Sequence, residues 1–207
     1  MSSSTGQAPT ADSQTVLAAA SAPCFVAIGG SLRPNSLTYR ALEVVRREFE
    51  KLGIPLHLLD LRQMKLPFAD GSESYPDYPD VEVLRATMKQ ADGIILASPE
   101  YHGSISGSLK NALDLLSFEH LEGKVFGLIS VLGGESNSDT LNQMRLIVRW
   151  LHGWAIPEQI AIGRAWSAFD EQGNLRDENL RQRFQRFVQS LVTNTSKLRG
   201  IPLVTRQ

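Results

Sequence analysis

Residues 25–29, 93–97 and 125–131 are strand-length apolar runs, each followed by a loop and then by apolar residues at helical spacing. The run Val125-Phe126-Gly127-Leu128-Ile129-Ser130-Val131 is near-continuous, as a central parallel strand must be when helices cover both of its faces. Leu37, Ala41, Val44, Val45, Phe49 and Leu52 form a first helical stripe that Gly53 ends. Val81, Leu84, Met88 and Ala91 form a second, and Ile105, Leu109, Ala112, Leu113 and Leu116 a third. Leu141, Met144, Val148 and Leu151 form a fourth, and Leu180, Phe184, Phe187, Val188 and Leu191 the last. Residues 54–61 and 155–162 supply two more strands, and Pro157 in the latter fits an edge strand or a strand start. These βα units predict an α/β three-layer αβα sandwich around a five-stranded parallel sheet of order 2-1-3-4-5. Its crevice is expected where strands 1 and 3 diverge, at their carboxyl ends. Residues 62–80, rich in Pro, Ser, Tyr and Asp, form a long connection of the kind that is either mobile or functional.

A chain of 207 residues with 42% hydrophobic content suits one such domain, expected over residues 24–196 between an N-terminal tail, 1–23, and a C-terminal tail, 197–207. The first 23 residues are a Ser/Thr/Ala/Gln stretch without Lys or Arg, which reads as disordered rather than as a signal segment. A formal charge of −1 gives no field to draw nucleic acid or a membrane surface, which leaves small molecules or further copies of the chain as partners. No apolar run approaches the length of a membrane span. The single cysteine, Cys24, excludes an intrachain disulfide and a thiolate metal cluster, and points to a reducing cytoplasm. The histidines, His57, His102, His120 and His152, lack metal-ligand spacing, so no metal site is expected.

Two loops carry the chemistry. Ser31, Arg33, Asn35, Ser36 and Thr38 fall between the first strand and the first helix, where unpaired helix N–H groups favour an anion and Arg33 adds a fork of donors suited to a terminal phosphate. The alternative is that Asn35 or Ser36 caps the helix and Arg33 is a solvated charge. Pro99, Glu100, Tyr101, His102, Gly103 and Ser104 follow the third strand, and Pro99 and Gly103 shape a turn whose spare backbone N–H groups could meet a flat heterocycle. A phosphate loop and a ring loop at one switch point suggest a flavin mononucleotide (FMN) site. Neither G-x-x-x-x-G-K-[ST] nor G-x-G-x-x-G is present, so a nucleotide triphosphatase and a Rossmann dehydrogenase are not supported.

The stretch Gly30-Ser31-Leu32-Arg33-Pro34-Asn35-Ser36, the stretch Ser98-Pro99-Glu100-Tyr101-His102-Gly103-Ser104 with Lys110-Asn111-Ala112-Leu113-Asp114 behind it, and Gly133-Gly134 together resemble the NADPH-dependent FMN reductase family, a flavodoxin-like group of flavin, quinone, azo-dye and chromate reductases. The resemblance spans residues 25–191. It implies that Ser31, Arg33 and Ser36 hold the FMN phosphate, that Pro99, Glu100, Tyr101, His102 and Gly103 line the isoalloxazine largely through backbone groups, and that Ser130 and the Gly133-Gly134 loop close another side. The family commonly has Asn where this chain has His102. The implied reaction passes a hydride from NADPH, or NADH, to N5 of FMN and then electrons to a quinone, a free flavin, an azo compound or a metal oxyanion. The cofactor performs it, so no catalytic acid, base or nucleophile is expected from the protein. Homodimers or homotetramers built on the helices after strands 3 and 4 are also implied, with Trp150 and Trp154 near that interface or in the core.

Two rival readings differ in kind. A flavodoxin-like electron carrier or flavin-binding regulatory module would not oxidise NADPH; a dedicated carrier tends to an acidic docking face and a neutral phosphate loop, whereas this chain is near neutral and has Arg33 in that loop. A hydrolase is disfavoured because Ser130 does not lie in a Gly-x-Ser-x-Gly elbow. Lys110 and Asp114, one helical turn apart, read as an exposed ion pair.

Overall fold

The computed structural model describes residues 22–135 and 138–201. The strands β1 (Phe25–Gly29), β2 (Leu56–Asp60), β3 (Gly93–Pro99), β4 (Val125–Val131) and β5 (Trp154–Ile162) form one parallel sheet in the order β2-β1-β3-β4-β5. The helices are α1 (Leu37–Lys51), α2 (Pro79–Gln90), α3 (Gly107–Asp114), α4 (Phe118–Leu121), α5 (Ser138–Trp150), α6 (Ala165–Ala168) and α7 (Glu178–Arg199). Strand order and crossovers are those expected from the alternating pattern. The four-residue helices α4 and α6 were not, since one turn leaves no periodic stripe. The anticipated tail at 1–23 lies almost wholly outside the described residues, and α7 runs past the expected boundary at 196 to Arg199, where Gly200 takes a left-handed φ of 64°.

Alternate residues of each central strand serve two cores, which is why the runs are continuously apolar. Phe25, Ala27, Ile95, Ala97, Val125 and Ile129 pack beneath α1 and α7, against Val45, Phe49, Phe184, Phe187 and Leu191. Val26, Ile28, Ile94, Leu96, Phe126 and Leu128 face the opposite layer, where α2, α3 and α5 contribute Leu84, Met88, Leu109, Met144 and Val148. Burial of each such large side chain stabilises the fold by about 1.5–3 kcal/mol. Gly127 is part of the fit: a Cβ there would stand 2.5 Å from the Phe187 ring.

The connection at 62–80 is pinned by one side chain of α3. Asn111 accepts from the Ala69 N–H at 3.0 Å and donates its amide to the Pro67 carbonyl at 2.8 Å. Lys110 and Asp114 form the exposed pair expected from their spacing, 2.7 Å apart. At the far end of the sheet the buried Lys124 ammonium donates to the carbonyls of Lys89, at 2.8 Å, and Ala91, closing the carboxyl end of α2. Desolvation there pushes the lysine below its ordinary pKa, and burial raises that of the neighbouring Cys24 thiol, consistent with an inert cysteine.

β5 pairs with β4 alone, as Pro157 led us to expect. The register slips between Phe126↔Ala155 and Leu128↔Gln159, so the strand bulges around Pro157. Arg145 of α5 donates to the carbonyls of Ile156 and Pro157, at 3.0 and 3.1 Å, and to the Gln159 side chain, while Arg183 of α7 donates to the Gln159 carbonyl.

Candidate active site

From β1 the chain crosses to the α1–α7 layer and from β3 to the opposite layer, so a crevice opens between the two strand ends. It holds a cavity of about 300 Å³, within the range of small-molecule pockets. Ser31, Arg33, Asn35 and Thr38 form one rim and Pro99, Glu100 and Tyr101 the other, with Leu132 and Gly133 behind and Trp166 at a third side.

The first rim is rigid and rich in donors. The Gly30 N–H bonds to the Ala97 carbonyl at 2.8 Å, and its carbonyl accepts from the hydroxyls of Ser106 and Ser108, at 2.5 and 2.6 Å. A Cβ on Gly30 would stand 2.4 Å from the Ser106 oxygen, so only glycine permits this approach. Ser36, extended at φ −70° and ψ 123°, is the N-cap of α1 and accepts from the Tyr39 N–H at 3.2 Å. This assigns the capping role to Ser36, while Asn35 lines the cavity. The Ser31 hydroxyl is buried and accepts weakly from the Arg33 N–H at 3.4 Å. Among the described residues, the N–H groups of Leu37 and Thr38, the first two of α1, enter no hydrogen bond. Unspent N–H groups at the positive end of a helix dipole, beside a hydroxyl and a guanidinium, are a donor set that fits a phosphate monoester.

The second rim is a tight hairpin. Tyr101 and Ser104 exchange backbone hydrogen bonds of 3.0 and 3.1 Å, and the two residues between them, His102 and Gly103, both have positive φ, 53° and 74°. That is the two-residue turn that favours Asn-Gly, because both central positions are left-handed. Asn at the first position therefore has a backbone reason, and His is among the residues that tolerate it. Among the described residues the N–H groups of His102 and Gly103, at the apex, make no hydrogen bond, so the turn has donors to spare for a polar ring edge. Glu100 looks elsewhere: its N–H bonds to the Val131 carbonyl and its carboxylate accepts from the Thr140 N–H, in the first turn of α5, at 3.1 Å. The Arg33 guanidinium lies 5.9 Å from the Tyr101 ring centroid, so a cation–π contact links the two rims.

Of the remaining anticipated residues only Gly133 joins the lining; Ser36, His102, Gly103, Ser104, Ser130 and Gly134 do not. The Gly134 carbonyl accepts from the Arg164 N–H at 2.6 Å. Ser104 closes the hairpin, and Ser130 is wholly buried within β4, in register with Ser98. Leu37, Leu132 and Trp166 also line the cavity, which sequence reasoning missed. No spacing rule pairs a residue following β5 with a loop following β1. Among the described residues the cavity lining holds no histidine, cysteine or aspartate; its carboxylate, Glu100, is engaged with the Thr140 N–H, and its fixed positive charge is Arg33.

A doubly wound sheet of this order, with a phosphate-type helix N-terminus and a polar hairpin at its switch point, is a flavodoxin-like mononucleotide-binding protein. The chain belongs to the NADPH-dependent FMN reductase family, whose model matches residues 24–167, and this makes it an FMN- and NADPH-dependent oxidoreductase. It is 35% identical over 170 residues to an FMN-dependent NADPH-azoreductase of Staphylococcus aureus, covering 79% of this chain and 90% of that one. Among solved structures, the flavoenzyme NAD(P)H:(acceptor) oxidoreductase FerB from Paracoccus denitrificans shares the fold with a TM-score of 0.68 at 21% identity, over 84% of this chain and 98% of that one. An archaeal flavodoxin shares it with a TM-score of 0.57 at 12% identity, over 83% and 99%.

Proposed function

We propose that the crevice binds FMN and that the protein uses it to reduce small aromatic acceptors, azo compounds and quinones foremost, with NADPH as donor. The observation that carries this reading is the cluster of unspent donors at the start of α1, lining a 300 Å³ cavity together with Pro99, Glu100 and Tyr101, the residues that lead into a hairpin whose apex has spare N–H groups. Ser31, Arg33, Asn35 and the first N–H groups of α1 would hold the phosphate, while Ser36 orders them by capping the helix. The backbone of Pro99, Glu100, Tyr101, His102 and Gly103 would meet the ring, Ser104 fixing the turn. Gly133 and Gly134 would close a further side, with Ser130 supporting them from within β4. When bound, FMN supplies the two-electron chemistry that no side chain here could. The protein's part is to hold the group, leave one face open and present positive potential to the reduced form.

An azo acceptor is supported by the activity named for the Staphylococcus aureus relative, and free flavins and metal oxyanions fall within the same reading. NADH is an alternative donor within the same reading. Leu146, Trp150 and Trp154, exposed by 61, 69 and 59%, support self-association as a homodimer or homotetramer. Among the described residues no helix is long and apolar enough to cross a membrane, and the lone half-buried cysteine agrees with a cytoplasmic site of action. The test is anaerobic mixing of FMN-loaded protein with NADPH and then with an azo dye or quinone. Bleaching of the flavin band and its return on adding the acceptor is expected; a band that NADPH leaves untouched sinks the reading.

A further inference from the structure

We propose that Trp166 is a flavin-binding residue whose indole packs over the occupied cavity and slows the escape of FMN. This rests on the reading of the cavity as the FMN site. Trp166 is 72% exposed although it lines that cavity, across from Arg33 and Thr38. Leaving an indole in water forgoes a large apolar burial, and aromatic faces stack readily on flat heterocycles.

The backbone that carries the indole is anchored by the residues just before it. Gly163 passes so close to the loop after β4 that a Cβ there would stand 2.4 Å from the Glu135 carbonyl. Arg164 then adopts a left-handed φ of 44°, donates its N–H to the Gly134 carbonyl and pairs its side chain with Glu135. The Ala165 N–H donates to the Leu132 carbonyl at 3.0 Å, and Ala165 itself is buried. A left-handed arginine is a strained conformation, so the staples around α6 hold a backbone that the local sequence does not favour. Trp166 is thereby carried by the same backbone that lines the cavity, so a ligand does not have to order that backbone before meeting the indole. The other tryptophans, Trp150 and Trp154, stand by the start of β5, at the opposite end of the strands.

The experiment measures FMN affinity and dissociation rate on the full chain for the wild type, Trp166→Ala, Trp166→Phe and Leu198→Ala, an exposed apolar residue of α7 outside the cavity lining, with the melting temperature of each flavin-free protein alongside. Trp166→Ala is expected to release FMN about tenfold faster, with an affinity loss of similar size, at an unchanged flavin-free melting temperature. Trp166→Phe, which keeps a ring, restores most of the affinity, and Leu198→Ala binds FMN as wild type. A Trp166→Ala protein that holds FMN as tightly as wild type overturns the inference and leaves the reading of the cavity intact. A wild type with no affinity for FMN overturns both.

Discussion

The Tyr39 hydroxyl donates to the carbonyl of Gly29 at 2.9 Å, tying the first turn of α1 to the last residue of β1. The same oxygen accepts from the Leu61 N–H at 3.0 Å, and the Arg62 guanidinium lies 3.9 Å from the ring centroid. Burial and the nearby Asp60 carboxylate hold the phenol far above its ordinary pKa, so it is a permanent donor. Tyr39→Phe leaves a buried carbonyl and a buried N–H unpaired, and is expected to destabilise the protein by about 1–3 kcal/mol. Urea denaturation of the flavin-free protein checks this; a midpoint equal to wild type would remove Tyr39 from the scaffold of the phosphate loop.

Arg33 is exposed and lines the cavity, and its proposed role is toward the ligand rather than the fold. Arg33→Ala is expected to lose about 1.5–3 kcal/mol of FMN binding, roughly 10- to 100-fold in affinity, with the melting temperature of the flavin-free protein unchanged. Riboflavin, which lacks the phosphate, should bind both proteins alike. Equal FMN affinity in the two proteins contradicts the phosphate assignment.

His102 matters through its backbone. His102→Asn is expected to match or slightly exceed wild-type stability with FMN affinity little changed, because Asn tolerates the left-handed region at least as well. His102→Val should cost about 1–3 kcal/mol and weaken FMN binding by distorting the turn. Thermal melts and flavin titrations decide; a large affinity loss in the Asn variant would show that the imidazole itself touches the ring.

His120 is expected to make the fold sensitive to acid. Its Nδ1 accepts from the Ser117 N–H at 3.0 Å, and burial holds its pKa below the ordinary value of 6.5, with Glu119 opposing and Arg85 and Lys89 adding to the shift. For a base with a depressed folded pKa, the unfolded chain protonates first. The stabilisation is therefore complete above the unfolded value near 6.5 and is lost as pH falls through the folded value. His120→Gln keeps an acceptor for Ser117 and has no proton to gain. Its urea midpoint should fall less than wild type between pH 7.5 and 5; parallel curves would exclude His120 as a source of the acid sensitivity.

The central strands were legible because both of their faces are buried, which writes a continuous apolar run into residues such as 93–97 and 125–131. Pro157 foretold an edge strand, though not the slip in register beside it, which depends on how Gly127 opposes the bulge. The residue types of both site loops could be read from their places after strands. Their division of labour could not: whether a hydroxyl caps a helix or faces a ligand depends on backbone angles, as Ser36 and Ser31 show. Trp166 was invisible because its place depends on one left-handed arginine and on contacts between loops far apart in sequence. The 62–80 connection, read as mobile or functional, owes its anchorage to Asn111, a partner some forty residues away.

The bulge at Pro157 and the arginines lying over it also decide how copies of the protein can meet. An incoming β-segment would find an imino nitrogen with nothing to donate and oxygens already claimed by Arg145 and Arg183. Around Pro157 that margin has few free backbone groups with which to template a further strand.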